Sequence, residues 1–594
     1  MSNREQYRVV PVAFMLLSVL AVALLGCDTQ ASKTASGPRQ TPYIFAIHYP
    51  LPVGPSGKIA TLDPNLAIDP ASRTVVSLLF DGLVTLDQRM QVEPWGAKSI
   101  DISPDGLTYT FHLRPGQAFA DGTPITAFDY AFSINRALNP CLASPAAAPL
   151  TIIKGAATFA SETCVNGQIG VNTAAGQTSP LITTLLADAL QTPDNSTLVI
   201  VLAHPAAYFL AALAAPVADA LNPDLVGSDI TSERWTDRLD YGARGTGASG
   251  MFFLAKWDTL GGNIILLRNA HWWGEGQGKR LLLTEVDFTF FKSADDAYAA
   301  YQAGVFHMAF TPASQVAQVK TNPDFHAIGT LTYTGLSINW TRAPFNNLDA
   351  RQAFCLAVNR DALNTAAFSS TVIPHWNIVP QGMPGFNPTI TGPDGVTSTT
   401  GDDAVAARHW AAYLTTSGAS PSTPIPYLYD ASDPTAKLVA QTLAAQWEQA
   451  LGVQIILRSE SHAAWQRDVD TGNYVLAPVS APVNYPDPQD ILSRLFRSTS
   501  DVQLPDVPAA DILMAQADAS GDAATRLQEY QRAEQLLVTH VVTCPLFQSQ
   551  AFYEVRDVCV QNWSIAPNGL TPLDAWVATF LDYTSIKPYC NVSR

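Results

Sequence analysis

A chain of 594 residues is too long for one hydrophobic core and predicts roughly three domains. Charged residues make up 14%, below the usual ~25%, and the formal net charge is −17. That balance argues against nucleic acid, which needs a basic patch, while a hydrophobic content of 47% is ordinary for a chain that folds in water.

At the start, Arg4 and Arg8 precede an apolar run from Val12 to Leu25, too short to span comfortably as a mature helix. The run ends Leu24-Leu25-Gly26-Cys27, similar to a bacterial lipobox, in which a small residue precedes the cysteine that becomes the lipidated N-terminus. The reading is a lipoprotein signal peptide over 1–26 with the lipid on Cys27. An ordinary cleaved signal and an uncleaved anchor are the alternatives. A Ser-, Thr-, Gly- and Pro-rich stretch comes next and predicts a flexible tether over 27–42. Together these place the protein in the cell envelope, outside the cytoplasmic membrane and lipid-anchored.

Tyr43 to Ile47 reads as a first buried strand, followed by Thr61-Leu62-Asp63-Pro64-Asn65-Leu66-Ala67 and Leu78-Leu79-Phe80-Asp81-Gly82-Leu83-Val84. Pro104-Asp105-Gly106 marks a tight turn. Leu107, Tyr109, Phe111 and Leu113 then alternate with polar residues, the period of a strand with one buried face. After a second turn at Asp121-Gly122-Thr123-Pro124, Thr126 with Asp129 three residues on predicts a capped helix.

Cys141 and Cys164 flank an Ala-, Thr- and Gly-rich excursion in an exported chain; the reading is a disulfide, with two free thiols as the alternative. Leu198 to Leu202 is another strand. Residues 245–250, Gly-Thr-Gly-Ala-Ser-Gly, formally fit G-x-G-x-x-G. The residues from Met251 to Trp257 are strand-like, however, where a dinucleotide site needs a helix, so such a site is not the reading. Asn263 to Arg268 is the partner strand of that hairpin, and Val286, Phe288 and Phe290 alternate as a further strand. Ser293 caps a helix that Gly304 ends. Cys355 falls among Ala353, Leu356 and Ala357 at helical spacing and reads as an inert buried thiol.

From Ile425 to Leu457 the pattern is strand, Asp433-capped helix with Pro434 first and Gly452 last, then strand, which predicts a parallel unit. Helices come next at Ala509 to Ala519 and Ala523 to Val538. Cys544 to Phe547 reads as a strand crossing back to the first part of the chain, and Cys559 and Cys590 are candidate partners in the tail.

The stretch from Ser103 to Leu138 resembles the family 5 extracellular solute-binding proteins, the peptide-binding receptors of ABC importers, whose pattern S-x-D-G-L-T-Y-T-F-x-L-R-x-G-x-x-F-x-D-G-T-P-x-T-A-x-D it matches at nearly every fixed position. The 61–67 segment is similar to that family's T-L-D-P-x-x-A, and 268–274 to its R-N-P-x-Y-W-G with Ala270 for Pro and Trp272 for Tyr. The resemblance covers about 43 to 580. It implies an α/β, two-lobed periplasmic-binding-protein type II (Venus flytrap) fold with an additional domain on the first lobe. Lobe I would take 43–77, 196–292 and 545–594, the extra domain 78–195, and lobe II 293–544.

The implied function is a substrate-binding protein, monomeric, that delivers peptides, oligopeptides in particular, to an ABC permease and its ATPase. A non-peptide solute (oligosaccharide or metal chelate) and a sensing lipoprotein without transport are the alternatives. No H-E-x-x-H, G-x-S-x-G or Walker loop is present, and the His and Cys spacings do not form a metal site, so neither enzyme, cofactor nor metal is expected. By resemblance the ligand residues are Leu66, Asn339, Trp340, Asn484, Tyr485 and Asp487. Relatives place an Asp at the position of Asn484 to meet the ligand's α-amino group. Asp487 or Asp490 would take over that role here, unless the ligand lacks a free amine.

Overall fold

The computed structural model describes residues 46–53, 56–87, 90–170, 182–239, 247–258, 262–277, 281, 283–420, 423–498, 504–556, 560–561 and 587–588. Cys27, the tether, Cys559 and Cys590 lie outside the described residues. No helix among the described residues is long and apolar enough to cross a membrane.

The fold is α/β and two-lobed, with a further domain on the first lobe. The first lobe is built on a sheet whose strands lie in the order Ala46–Pro52, Glu285–Phe291, Asn263–Arg268, Phe252–Asp258. Its first pair is parallel and the rest antiparallel. The hairpin after the glycine-rich 245–250 stretch therefore forms where the pattern puts it, while Gly245 and Thr246 are outside the described residues. Gly250 explains part of that glycine content. Its N–H donates to Leu79 O at 2.8 Å, and a Cβ there would stand 2.7 Å from Leu78 O. Gly247 and Gly250 are packing positions, a Cβ at Gly247 standing 2.1 Å from a Leu225 methyl.

The extra domain carries an antiparallel sheet in the order Ala97–Ile102, Thr108–Leu113, Thr197–Val201, Leu190–Asp194, so it runs past the expected boundary at 195. In Thr108–Leu113 burial alternates residue by residue, with Tyr109, Phe111 and Leu113 inward, as its period of two demands. Gly106 takes a positive φ of 70° in the preceding turn, which a side chain would resist. Asp129 accepts the Thr126 N–H at 2.6 Å and so holds the start of helix Ala127–Ala137. The predicted Cys141–Cys164 disulfide is formed, with Cα atoms 5.1 Å apart.

The second lobe is built on a mixed sheet ordered Met308–Phe310, Cys544–Val555, Thr332–Ile338, Leu476–Pro482, Ile425–Asp430, Ile455–Glu460. Ile425–Asp430 and Ile455–Glu460 pair in parallel across helix Pro434–Leu451, whose Asp433 cap accepts from Thr435 N at 2.8 Å. Val439, Leu443, Trp447 and Leu451 are buried on one face of that helix. Each is stabilising by roughly 1.5–3 kcal/mol relative to exposure. The twelve-residue strand Cys544–Val555, expected to start the return to the first lobe at 545, instead belongs to this sheet, pairing with Thr332–Ile338 at its start and with Met308–Phe310 at its end. There Arg556 N donates to His307 O, and His307 N to His48 O on the first lobe's edge strand.

One expectation is corrected. Cys355 is buried in helix Leu348–Leu356, but it is not a free thiol: it is bonded to Cys544, 189 positions away. The buried Arg360 guanidinium packs on this bridge. It stacks on Trp376 at 3.5 Å and donates to Pro545 O at 2.8 Å.

Candidate binding cleft

A cavity of about 550 Å³ opens between the lobes. One wall comes from residues 67, 68, 70 and 73, the 145–149 loop and 215–217. The other comes from Phe310, 330–332, 482–484 and Ala551.

The first wall is held from behind by a buried network centred on Asp63, which is fully buried. Its carboxylate accepts both Arg136 terminal nitrogens (3.0 and 2.6 Å), Trp235 Nε1 (2.9 Å) and Asn65 N (3.0 Å). Asn65 extends the network: Nδ2 donates to Val217 O at 2.8 Å, while its backbone carbonyl accepts from the Ser144 hydroxyl. The 61–67 segment thus ties together three pieces of cavity wall. Leu66 itself is half-buried and is not part of the lining, whereas its neighbours Ala67 and Ile68 are. Asp81, in the next motif, accepts from Trp272 Nε1 and Trp273 Nε1 at 2.9 Å each, which explains the paired tryptophans of 268–274.

The second wall is made of strand ends. Thr332 pairs with Pro482, which sets the 330–332 and 482–484 segments side by side. Gln548 Nε2 fastens the first of these by donating to Thr330 O at 2.8 Å. Asn484 lines the cavity, but its role is internal: its N–H and Nδ2 donate to Asp490 at 2.6 and 3.0 Å. Asp490, fully buried, also accepts from Arg494 Nε at 2.8 Å.

Asp487 caps helix Pro488–Phe496 and is gripped by both terminal nitrogens of Arg526. Tyr485 is buried, donates to Gln489, and stacks on Tyr208 of the first wall's side with ring centroids 5.9 Å apart. Burial pushes the Tyr208 hydroxyl up to about 12, with the Asp518 charge adding to the effect.

The structure does not bring Asn339 and Trp340 to this cavity. Thr332 lines it, and the strand runs away for seven residues, so Asn339 lies roughly 23 Å off at ~3.3 Å per residue. Asn339 is buried, donating to Gly472 O and Tyr474 O and accepting from Thr341 N. Sequence reading missed Arg73, Phe310 and the proline-bearing loops at 145–149 and 216. The helical periodicity of 70–79 contained Arg73 but gave no sign that its side faces a cleft. Among the described residues no group of three or more His, Cys, Asp or Glu is placed to hold a metal ion.

Residues 91–503 match the model of the bacterial extracellular solute-binding proteins, family 5 middle. The chain is 25% identical over 496 residues to the probable deoxycholate-binding periplasmic protein YgiS of Escherichia coli (strain K12), covering 82% of this chain and 85% of that one. It is 25% identical over 525 residues to the periplasmic oligopeptide-binding protein OppA of the same organism, covering 87% and 89%. The solved structure of the murein tripeptide-binding protein MppA in its unliganded open form superposes with a TM-score of 0.74 at 21% identity, covering 92% of this chain and 98% of that one.

Proposed function

The chain belongs to the bacterial extracellular solute-binding proteins of family 5, and on that premise we propose that it is the receptor of an ABC importer, capturing peptides or peptide-like solutes in the cleft between its lobes. The observation that carries this reading is the 550 Å³ cavity with one wall from each lobe, a volume in the range that encloses a drug-sized ligand. The murein tripeptide and oligopeptide binders among its relatives support a peptide-like ligand. Closure by rotation of the lobes about the crossing strands would sequester the solute before delivery to the permease. A lipid on Cys27 would hold the receptor at the membrane, and Cys27→Ser is then expected to move the protein from the membrane fraction to the soluble fraction.

The test is native mass spectrometry of the full-length chain, as purified and after exposure to a pool of tri- to pentapeptides. A retained solute, displaced when Val217→Trp fills the cavity, is the expected result. A protein that retains nothing and binds no member of the pool would overturn the receptor reading.

A further inference from the structure

The backbone donors along both cavity walls are already used within the protein. On the second wall the N–H groups of Thr330, Thr332 and Val483 donate to Ser549 O, Thr330 O and Leu331 O at 2.9, 2.9 and 3.0 Å. That of Asn484 donates to Asp490 at 2.6 Å. On the first wall Ala67 N donates to Asp63 O at 3.0 Å, and Ala146 N to the Ser144 hydroxyl at 3.2 Å. Five further lining residues, Pro70, Pro145, Pro149, Pro216 and Pro482, have no N–H to give. A backbone N–H carries a single hydrogen, so all of these positions are closed to a ligand carbonyl.

An extended peptide that adds to a sheet edge takes its affinity from main-chain hydrogen bonds and leaves its side chains to specificity. Pro482 stands where such an edge would begin. It ends the strand Leu476–Pro482, pairs with Thr332 and is exposed. The residues that follow it, Val483 and Asn484, have their N–H groups turned to Leu331 and Asp490.

What the walls present to the cleft is carbon. Ile68 is 53% exposed despite its large aliphatic side chain. Pro70, Pro145 and Pro482 are exposed around the same cavity, and Phe310 is half-buried in the opposite wall. Covering such surface with an apolar ligand releases water from it, a gain that does not depend on the charges the ligand carries at its ends.

We propose that the cleft selects a compact solute by its apolar body, and that the ligand's main chain, where it has one, takes no part in recognition. This rests on the cleft being the receptor's binding site. Two sources share the chemistry, the bulky aliphatic side chains of a short peptide and a polycyclic hydrocarbon skeleton.

The test is calorimetric titration of the full-length chain with Ala-Ala-Ala and Leu-Leu-Leu, which share termini and main chain, and with a neutral steroid diol. Affinity is expected to rise about tenfold or more from the alanine to the leucine peptide, with a more negative heat-capacity change of binding. Ile68→Ser alters an exposed side chain outside the buried Asp63 network, and circular dichroism confirms that the variant is folded. It should weaken Leu-Leu-Leu about fivefold and leave Ala-Ala-Ala within about twofold. The tighter of Leu-Leu-Leu and the steroid identifies the source. Equal affinity for the two peptides, or a preference for leucine unmoved by Ile68→Ser, overturns the proposal and leaves the receptor reading standing. Binding by none of the three probes also overturns it; the receptor reading falls only if the peptide pool leaves the protein empty as well.

Discussion

Both walls of the cleft are backed by an aspartate–arginine pair, yet the two pairs sit in different places. Asp63 and Arg136 are 0% and 1% exposed, and the four hydrogen bonds that Asp63 accepts all stay behind the first wall. Asp487 and Arg526 are about as well paired but 10% and 8% exposed, and the neighbouring Tyr485 stacks on Tyr208 from across the cleft. The first wall is backed by a buried network whose hydrogen bonds stay on its own side. The second borders the opposite side through the Tyr485–Tyr208 contact, so the proposed closure of the lobes is expected to alter this wall's surroundings more. A polar network that closes on itself rigidifies; one next to a sliding contact is open to modulation.

The largest expected effect comes from that contrast. Asp63→Asn leaves the buried Arg136 guanidinium with only the neutral acceptors Asn65 Oδ1 and Ser232 O, and should cost ~3–5 kcal/mol in denaturant unfolding, as for other broken buried pairs. Asp487→Asn should cost less, because Arg526 and residue 487 keep some solvent contact. Equal losses would erase the distinction between the walls.

The two disulfides among the described residues extend the contrast. Cys355–Cys544 closes a separation of 189 residues under the second wall and Cys141–Cys164 one of 23 near the first. Chain-entropy scaling makes the long closure worth roughly 2 kcal/mol more. Paired Cys→Ala variants, compared by urea midpoint and slope, test this. A larger loss from the short loop would mean that strain or residual unfolded structure decides instead.

Glu534, behind the second wall, gives a pH signature. Its buried carboxyl accepts from Ile378 N and Val379 N, and burial pushes its pKa up to about 8 from 4.5. Between those values the folded state holds a proton that the unfolded chain releases. Stability from this group is therefore full below pH 4.5 and is lost as pH rises to 8. Glu534→Gln should remove that slope and gain roughly 1–3 kcal/mol near pH 8. An unchanged slope in pH-dependent unfolding would show that the carboxyl ionises freely.

The smallest effect concerns the contact across the cleft. Tyr208→Leu removes the ring stack while keeping apolar bulk, ~0.5–1.5 kcal/mol. It should change the radius of gyration measured by small-angle scattering more than it changes the melting temperature. A melting shift with an unaltered scattering profile would make Tyr208 ordinary core.

Much of the local structure was legible because it depends on neighbours in the chain. The alternation of Tyr109, Phe111 and Leu113, the Asp433 cap and Gly452 stop around helix Pro434–Leu451, and the hairpin after Gly250 all formed where the pattern put them. The motifs at 61–67 and 103–138 also carried the family, since their turns, caps and buried carboxylates are scaffold features written in short segments.

What tertiary structure alone decided is who meets whom across long separations. Cys355 met Cys544, Arg136 met Asp63, and Arg73 came to face 482–484. Spacing dictates none of these, because a strand or helix reports which face is buried and not what lies opposite. Asn339 and Trp340 were assigned to the site on resemblance alone; the strand from Thr332 carried them to its far end, where Asn339 closes a turn of the second lobe. The candidate carboxylates at 487 and 490 turned inward for a similar reason: each found a guanidinium within its own lobe, and a buried charge is held by the partner that packing brings within reach.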